Sequence, residues 1–220
     1  MTRYRWTLLR AGEFRLDGGS MFGLIPRSVW MRQVTPDERG RITVQHNCLL
    51  LERVGDNRGA EPGPRLILLE VGTGDKLDEA SRDLFAMQPR SILDALHEID
   101  CRPADIGGVI VSHLHFDHAG GLTRRAAAGE SPDWTGPASG FAGKRSDHGV
   151  KRTFPAARVV VQRREWSDAL ANRSVMTRTY FADHLQPVAE QVHLVDSCPP
   201  FAPGLTPERD PLPAVPQATR

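Results

Sequence analysis

The sequence predicts an α/β fold, because short apolar runs typical of strands alternate with segments of helical periodicity. The composition agrees: 40% of the 220 residues are hydrophobic and 25% are charged, as in ordinary globular chains. The predicted strands are 41–54, 64–71, 106–112 and 157–162, and the predicted helices are 78–87, 91–99 and 164–170.

The first two predicted strands, 41–54 and 64–71, are rich in leucine, isoleucine and valine. The segment between them, GDNRGAEPG, consists largely of turn-forming residues. A connection of this kind joins antiparallel neighbours, so the two strands are predicted to pair.

The helix predicted at 91–99 has apolar residues at helical spacing, and Ser91 stands where an N-cap is expected. The run IGGVIVS (106–112) is continuously apolar and predicts a strand that is buried on both faces. Strand 157–162 and helix 164–170 continue the alternation.

Two segments depart from this pattern. Residues 123–153 are rich in Gly, Ala, Ser, Arg and Lys and are too long for an ordinary connection, so they are predicted to be an insertion. Solvated loop charge is the favoured explanation of its basic residues, and a lid for an anionic substrate is the alternative. Residues 197–220 hold seven prolines and predict an extended, poorly packed tail. The domain is therefore predicted to span residues 1–196.

Charge and composition exclude several classes of protein. Lys and Arg number 28 against 27 Asp and Glu, so the net charge of +1 gives no electrostatic case for nucleic-acid binding. The apolar runs fall far short of the roughly 20 residues that cross a bilayer, and the apolar stretch near the N-terminus is too brief for a signal peptide. Three widely spaced cysteines form no disulfide framework, which predicts a cytoplasmic protein.

The segment HLHFDH (113–118), called the histidine loop below, follows the predicted strand 106–112. In extended chain, residues two apart point to the same side, so His113 and His115 can reach one ion. After a turn, Asp117 and His118 can face a second ion. Imidazole and carboxylate suit zinc best, with iron and manganese as alternatives. A histidine-rich surface turn is the competing interpretation, and it is disfavoured by this spacing directly after a strand.

HLHFDHAGG resembles the HxHxDH motif of the metallo-β-lactamase superfamily. The segments LDGGSMFG (16–23), FPAA (154–157) and EW (165–166) are similar to those of its quorum-quenching lactonase-like branch. The resemblance implies the superfamily's αββα sandwich.

This resemblance also implies a dizinc site and a reaction. His113 and His115 would bind the first zinc ion, and Asp117 and His118 the second. A metal-bound hydroxide would hydrolyse an ester, lactone or thioester of a small molecule, and Asp117 could pass a proton to the leaving alkoxide. An acyl-homoserine lactone is the favoured substrate. A glyoxalase II-type thioesterase, a β-lactamase and a phosphodiesterase are the alternatives.

The chain departs from the family pattern in two places. Glu70 stands where the family has an aspartate that supports the metal ligands from behind. The family's later ligands, carried by a second αβ half, have no counterpart in residues 197–220. Five other histidines are not favoured as replacements: His46, His97, His148, His184 and His193. The expected fold is therefore the N-terminal half of the sandwich plus part of the second, with one face of the first sheet uncovered.

Two hypotheses follow from these departures. The first is that the protein is a metal-dependent hydrolase, and the second is that it is a truncated, non-catalytic metal-binding fragment of such a hydrolase. The aromatic residues Phe22, Trp30 and Tyr180 are candidates for lining a substrate pocket, with a role in the core as the alternative. A homodimer is left open.

Overall fold

A computed structural model of the chain describes residues 3–55, 63–141, 146–173 and 179–196. The tail predicted at 197–220 lies outside these residues. The strands are β1 (Arg3–Asp17), β2 (Arg41–Val54), β3 (Leu66–Leu69), β4 (Gly108–Ile110), β5 (Thr123–Arg125), β6 (Trp134–Pro137), β7 (Asp147–Arg152), β8 (Arg158–Gln162) and β9 (Val192–Val195). The helices are α1 (Gly18–Phe22), α2 (Arg27–Trp30), α3 (Glu79–Leu84), α4 (Ile92–His97), α5 (Phe116–Ala119), α6 (Arg163–Ala171) and α7 (Ala182–Leu185). Among these described helices, none is both long and apolar enough to span a membrane.

The main sheet has six strands in the order β1-β2-β3-β4-β8-β9. The predicted antiparallel pairing of β2 with β3 is confirmed, and β3, β4, β8 and β9 run parallel to one another. Strand β2 has the predicted bounds, whereas the other predicted strands are one to four residues longer than observed. Ser91 caps α4 through a capping box with Asp94, as the sequence predicts for this position.

Strand β1 was not predicted from the sequence. It pairs with β2 along nearly its whole length, and a bulge between Arg10 and Glu13 interrupts the register. At this bulge Gly12 has a φ of 112°, which favours glycine. The bulge shifts the alternation of apolar residues, which explains why the pattern is weak in the sequence.

Helices cover one face of the sheet, and no helix among the described residues covers the other, called the open face below. On the covered face Leu68, Val109 and Val159 are at most 2% exposed and pack in the main core. On the open face Trp6 is 67% exposed and Ile110 is 37% exposed. The prediction that strand 106–112 is buried on both faces is therefore wrong, because no described helix covers the side of β4 that carries Ile110. An uncovered face is as expected from the family resemblance.

The predicted insertion at 123–153 contains regular structure in its described part. Strands β5, β7 and β6 form a separate three-stranded antiparallel sheet. A small aromatic cluster of Phe116, Phe141 and Phe181 joins this region to α5 and α7. The insertion thus packs against the helix that carries part of the histidine loop.

Candidate metal centre

The histidine loop lies at the carboxyl end of β4, in the parallel part of the main sheet. Sites of α/β proteins form at this edge of a sheet because the loops after neighbouring strands meet there. Residues 113–115 are not helical, and α5 begins directly after His115. The change from extended chain to helix turns Asp117 and His118 back towards the preceding histidines.

The structure brings the four predicted metal-binding residues together. The ring centroids of His113 and His115 are 4.5 Å apart, and those of His113 and His118 are 3.9 Å apart. The Oδ2 atom of Asp117 lies 3.6 Å from Nε2 of His118. Three imidazoles and one carboxylate therefore share one small volume.

Glu70 supports this volume from the end of β3. It has a φ of 60°, an uncommon conformation for a residue other than glycine and one that occurs at functional sites. Its carboxylate accepts hydrogen bonds from the Ser112 backbone N–H, at 2.8 Å, and from His118 Nδ1, at 3.0 Å. Burial opposes ionisation, yet the hydrogen bonds from His118 and Ser112 lower the pKa of Glu70. The bond to Nδ1 leaves Nε2 of His118 as the atom that faces Asp117.

Glu165 is a second supporting carboxylate, for which the sequence predicts no role beyond the EW similarity. It is 1% exposed and accepts a hydrogen bond from the Leu114 backbone N–H at 2.7 Å. Glu165 lies in the first turn of α6, where its backbone N–H donates a hydrogen bond to the side-chain oxygen of the N-cap residue Gln162. A glutamate three residues after a strand-end glutamine is the local signal that could have pointed to it.

The electrostatic environment keeps two of the loop histidines neutral. Burial lowers the pKa of His113 to about 4, and burial also lowers the pKa of His115. For His118, burial is outweighed by the hydrogen bond to Glu70 and by the charge of Asp117, which raise its pKa. A neutral imidazole offers a lone pair to a cation, so the low pKa values suit His113 and His115 to metal binding.

These residues fit a divalent cation in their chemistry. Nε2 of His115 is buried and has no hydrogen-bond partner among the described residues, as expected of a nitrogen that binds a metal ion. However, within the described parts of the chain, no group of three or more His, Cys, Asp or Glu side chains is already arranged to hold a metal ion. The donors are close together, so binding an ion requires their side chains to reorient.

A cavity of about 320 Å³ adjoins the histidine loop and includes Asp117 and His118 in its wall. Its other lining residues are Phe14, Leu16, Met21, Val44, Gln45, His46, Asn47, Cys48, Glu70 and Gly72. The cavity is thus adjacent to the candidate metal-binding residues and is lined by both apolar and polar groups.

The three aromatic residues proposed for a pocket occupy two different places. Tyr180 lies beside the histidine loop, with its ring centroid 5.2 Å from that of His115. Phe22 stacks on the buried Trp30 at 5.1 Å, and neither lines the cavity described above. Their role in substrate binding stays a prediction.

Other histidines lie apart from the histidine loop or are already paired. His46 lines the cavity, but its Nε2 pairs with Thr73 Oγ1 at 3.0 Å and its ring stacks on Phe14. His97 is exposed at the end of α4, and His193 is exposed on the open face of the main sheet. His148 and His184 belong to a second group of polar residues.

This second group, called the buried polar cluster below, consists of Lys76, Ser139, His148, Asp183 and His184. Asp183 is 0% exposed and accepts hydrogen bonds from Ser139 Oγ at 2.5 Å and from His148 Nε2 at 3.0 Å. His184 Nε2 lies 2.8 Å from Ser139 Oγ, and it donates this bond because the serine proton goes to Asp183. Burial lowers the pKa of His184 to about 3. No pattern in the sequence predicts this cluster.

The fold and the histidine loop define an α/β protein with a candidate metal centre at the carboxyl ends of parallel strands. Residues 41–213 match the metallo-beta-lactamase superfamily. The chain therefore belongs to this superfamily, and the fold class predicted from the resemblance is confirmed. A comparison with curated proteins finds no match.

Solved structures with the same fold include a probable metal-dependent hydrolase from Staphylococcus aureus. It has 25% sequence identity and a TM-score of 0.67, and the match covers 91% of this chain and 62% of that chain. The dizinc quorum-quenching lactonase AidC, in complex with a product, has 17% identity, a TM-score of 0.54 and coverage of 88% and 58%. An N-acyl homoserine lactone hydrolase with its product at the catalytic metal centre has 21% identity, a TM-score of 0.52 and coverage of 93% and 64%. The chain thus spans less than two thirds of the length of these structures.

Proposed function

We propose that this protein is a metal-dependent hydrolase whose centre is the histidine loop. The observation that carries the proposal is the convergence of its three imidazoles and one carboxylate at the end of β4, with Glu70 behind them. Superfamily membership and the fold shared with metal-dependent hydrolases support it. Zinc is the favoured ion, because imidazole and carboxylate ligands suit it.

A divalent cation, when bound, polarises a substrate carbonyl and lowers the pKa of water towards neutrality. The chain's own residues hold and orient the centre. Glu70 fixes the ring of His118 through Nδ1, and Glu165 fixes the backbone between His113 and His115. The carboxylate of Asp117 stands at the cavity wall, where it can carry a proton to a leaving alkoxide.

The favoured substrates are carbonyl compounds with an apolar chain, and in particular an acyl-homoserine lactone. The cavity beside Asp117 and His118 supports this choice, since Leu16, Met21 and Val44 offer it an apolar wall. Thioesters and β-lactams are the competing substrates. The cytoplasm is the proposed location, since the cysteines in the described residues, Cys48 and Cys101, are free.

The test measures zinc content and hydrolysis together. We expect the zinc-loaded protein to hydrolyse N-hexanoyl-homoserine lactone faster than a thioester or a β-lactam. His113→Ala and Asp117→Ala should lose both zinc and activity, whereas the control His97→Ala, at an exposed position, should keep both. Unchanged zinc stoichiometry in the two loop variants would contradict the proposed ligands.

A non-catalytic metal-binding protein is the second candidate. It is favoured by the lack, within the described residues, of a group already arranged to hold an ion. It is also favoured by ligand number, since four donors cannot give two zinc ions about three protein ligands each. Zinc binding without hydrolysis of any of the three substrate classes would support this candidate over the hydrolase.

A further inference from the structure

We infer that Lys76 is a positioning residue for the metal centre, because it fixes the turn that directly follows Asp117 and His118. This inference rests on the proposed function. The loop between β3 and α3, residues 70–78, carries Glu70 at its start and Lys76 near its end. Both side chains contact the histidine loop or the turn after it, so one loop holds this segment at two points.

Lys76 is 0% exposed, and its ammonium group donates to two backbone carbonyls. Nζ lies 2.5 Å from the carbonyl oxygen of Gly120 and 2.6 Å from that of Thr123. These carbonyls belong to the first residue of the 3-10 turn Gly120–Leu122, which continues α5, and to the residue that follows the turn. A cation at the carboxyl end of a helical segment stabilises the carbonyl groups there, so Lys76 sets where this turn ends.

The backbone from His118 to Gly121 packs against the loop 70–78 and has little freedom to move. Val71 donates to the carbonyl of His118 at 3.1 Å, and Gly121 donates to the carbonyl of Gly72 at 2.8 Å. A Cβ on Gly120 or Gly121 would lie 2.1 Å from a backbone oxygen of the facing loop. The two backbones are in direct contact, with no room for a Cβ at Gly120 or Gly121. A shift of the Gly120 carbonyl therefore also displaces the backbone of His118.

The burial of Lys76 also favours a specific role. Burying an amine is costly, and the cost is reflected in a pKa that burial lowers to about 8. The charges of Asp183 and Asp75 oppose this shift, while that of Arg125 adds to it. An apolar side chain would fill the same space without that cost, but it could not hold two carbonyls in one geometry.

The experiment compares Co²⁺ binding by the metal-free wild-type chain and by Lys76→Met. We expect about 10–100-fold weaker binding by Lys76→Met and a changed visible spectrum of the bound Co²⁺, as for the loss of residues that orient metal ligands. The matched control is Lys151→Met, which removes a lysine paired with Asp133 in the insertion sheet. Leu96→Ala, in the main core, is the control for lost stability alone. Both controls should bind Co²⁺ like wild type.

A second measurement needs no variant of Lys76, in case Lys76→Met does not fold. The sequence has only three lysines, Lys76, Lys144 and Lys151, so the side-chain nitrogen spectrum of ¹⁵N-lysine-labelled protein is simple. We expect the Lys76 ammonium signal to shift when Zn²⁺ binds and the Lys151 signal to stay.

The outcomes separate this inference from the proposed function. Wild-type affinity and spectrum in Lys76→Met, or an unmoved Lys76 signal at full Zn²⁺ occupancy, would overturn the inference alone. A wild-type chain that binds neither ion would overturn the proposed function and the inference with it.

Discussion

The protein has two groups that combine histidine with aspartate, and their surroundings differ. In the histidine loop the side chains of His118 and Asp117 are 34% and 20% exposed, beside a cavity. In the buried polar cluster the side chains of His184 and Asp183 are 1% and 0% exposed. The same residue types thus form a partly exposed group in one place and, apart from the 15% exposed side chain of His148, a buried group in the other.

Their hydrogen bonds differ in the same way. The histidine loop is held by hydrogen bonds to residues outside it: Glu70 accepts from His118 and Glu165 accepts from the Leu114 backbone N–H. Nε2 of His115 has no hydrogen-bond partner among the described residues. In the buried polar cluster, Ser139 and His148 bind Asp183 directly. Access, rather than residue composition or an unpartnered ring nitrogen, therefore distinguishes the candidate binding site from the structural cluster, because Nδ1 of His148 and Nδ1 of His184 are also buried without a partner among the described residues.

The largest expected effect is the loss of stability in Asp183→Ala. This change removes the carboxylate that accepts hydrogen bonds from Ser139 and His148 and that faces the charge of the buried Lys76, which costs about 3–5 kcal/mol in the free energy of unfolding. Urea unfolding of the metal-free protein measures it, and Asp117→Ala is the control in the partly exposed group. Folded Asp183→Ala should still bind Co²⁺ with wild-type stoichiometry. A stability loss as large in Asp117→Ala would remove the contrast between the two groups.

The second prediction concerns Glu70→Gln. The amide keeps the shape of the side chain but loses the charge that holds His118 Nδ1–H, so Zn²⁺ affinity should fall by about 10–100-fold. Stability should change little. Zinc competition with a chromophoric chelator measures the affinity, and Glu98→Gln, an exposed carboxylate paired with Arg90, is the control. Equal Zn²⁺ affinities in the two variants would argue against the role of Glu70.

The third prediction is a pH dependence that comes from His184. Its pKa is about 3 in the folded protein and near 6.5 when unfolded, so the unfolded chain takes up a proton that the folded chain refuses. The contribution of His184 to the free energy of unfolding is complete above pH 6.5 and is lost as the pH falls from 6.5 towards 3. The free energy of unfolding should therefore fall by about 1.4 kcal/mol per pH unit more in wild type than in His184→Gln.

Urea unfolding between pH 6.5 and 4.5 checks this difference in slope. His46, whose pKa burial lowers to about 4, contributes in the same range but is unchanged in both proteins. Identical slopes for wild type and His184→Gln would show that the cluster admits protons and is not sealed.

Much of the fold could be predicted from the sequence, because the signals are local. Strand β2 has its predicted bounds and Ser91 caps α4 as predicted. Strand β1 escaped prediction because its bulge at Gly12 breaks the alternation. No described element covers the side of β4 that carries Ile110, and the sequence could not predict this because burial depends on which layers pack against a strand, which no local pattern encodes.

The donor types and the spacing of the histidine loop follow directly from the order of the amino acids, since residues within six positions are held close by the chain. The groups that support these donors depend on tertiary packing. Glu70 reaches Ser112 and His118 across more than 40 residues, and Lys76 reaches Gly120 across 44. The buried polar cluster likewise joins His148 to Asp183 across 35 residues. Contacts over such separations depend on how strands and loops pack, so they become visible only once the chain is folded.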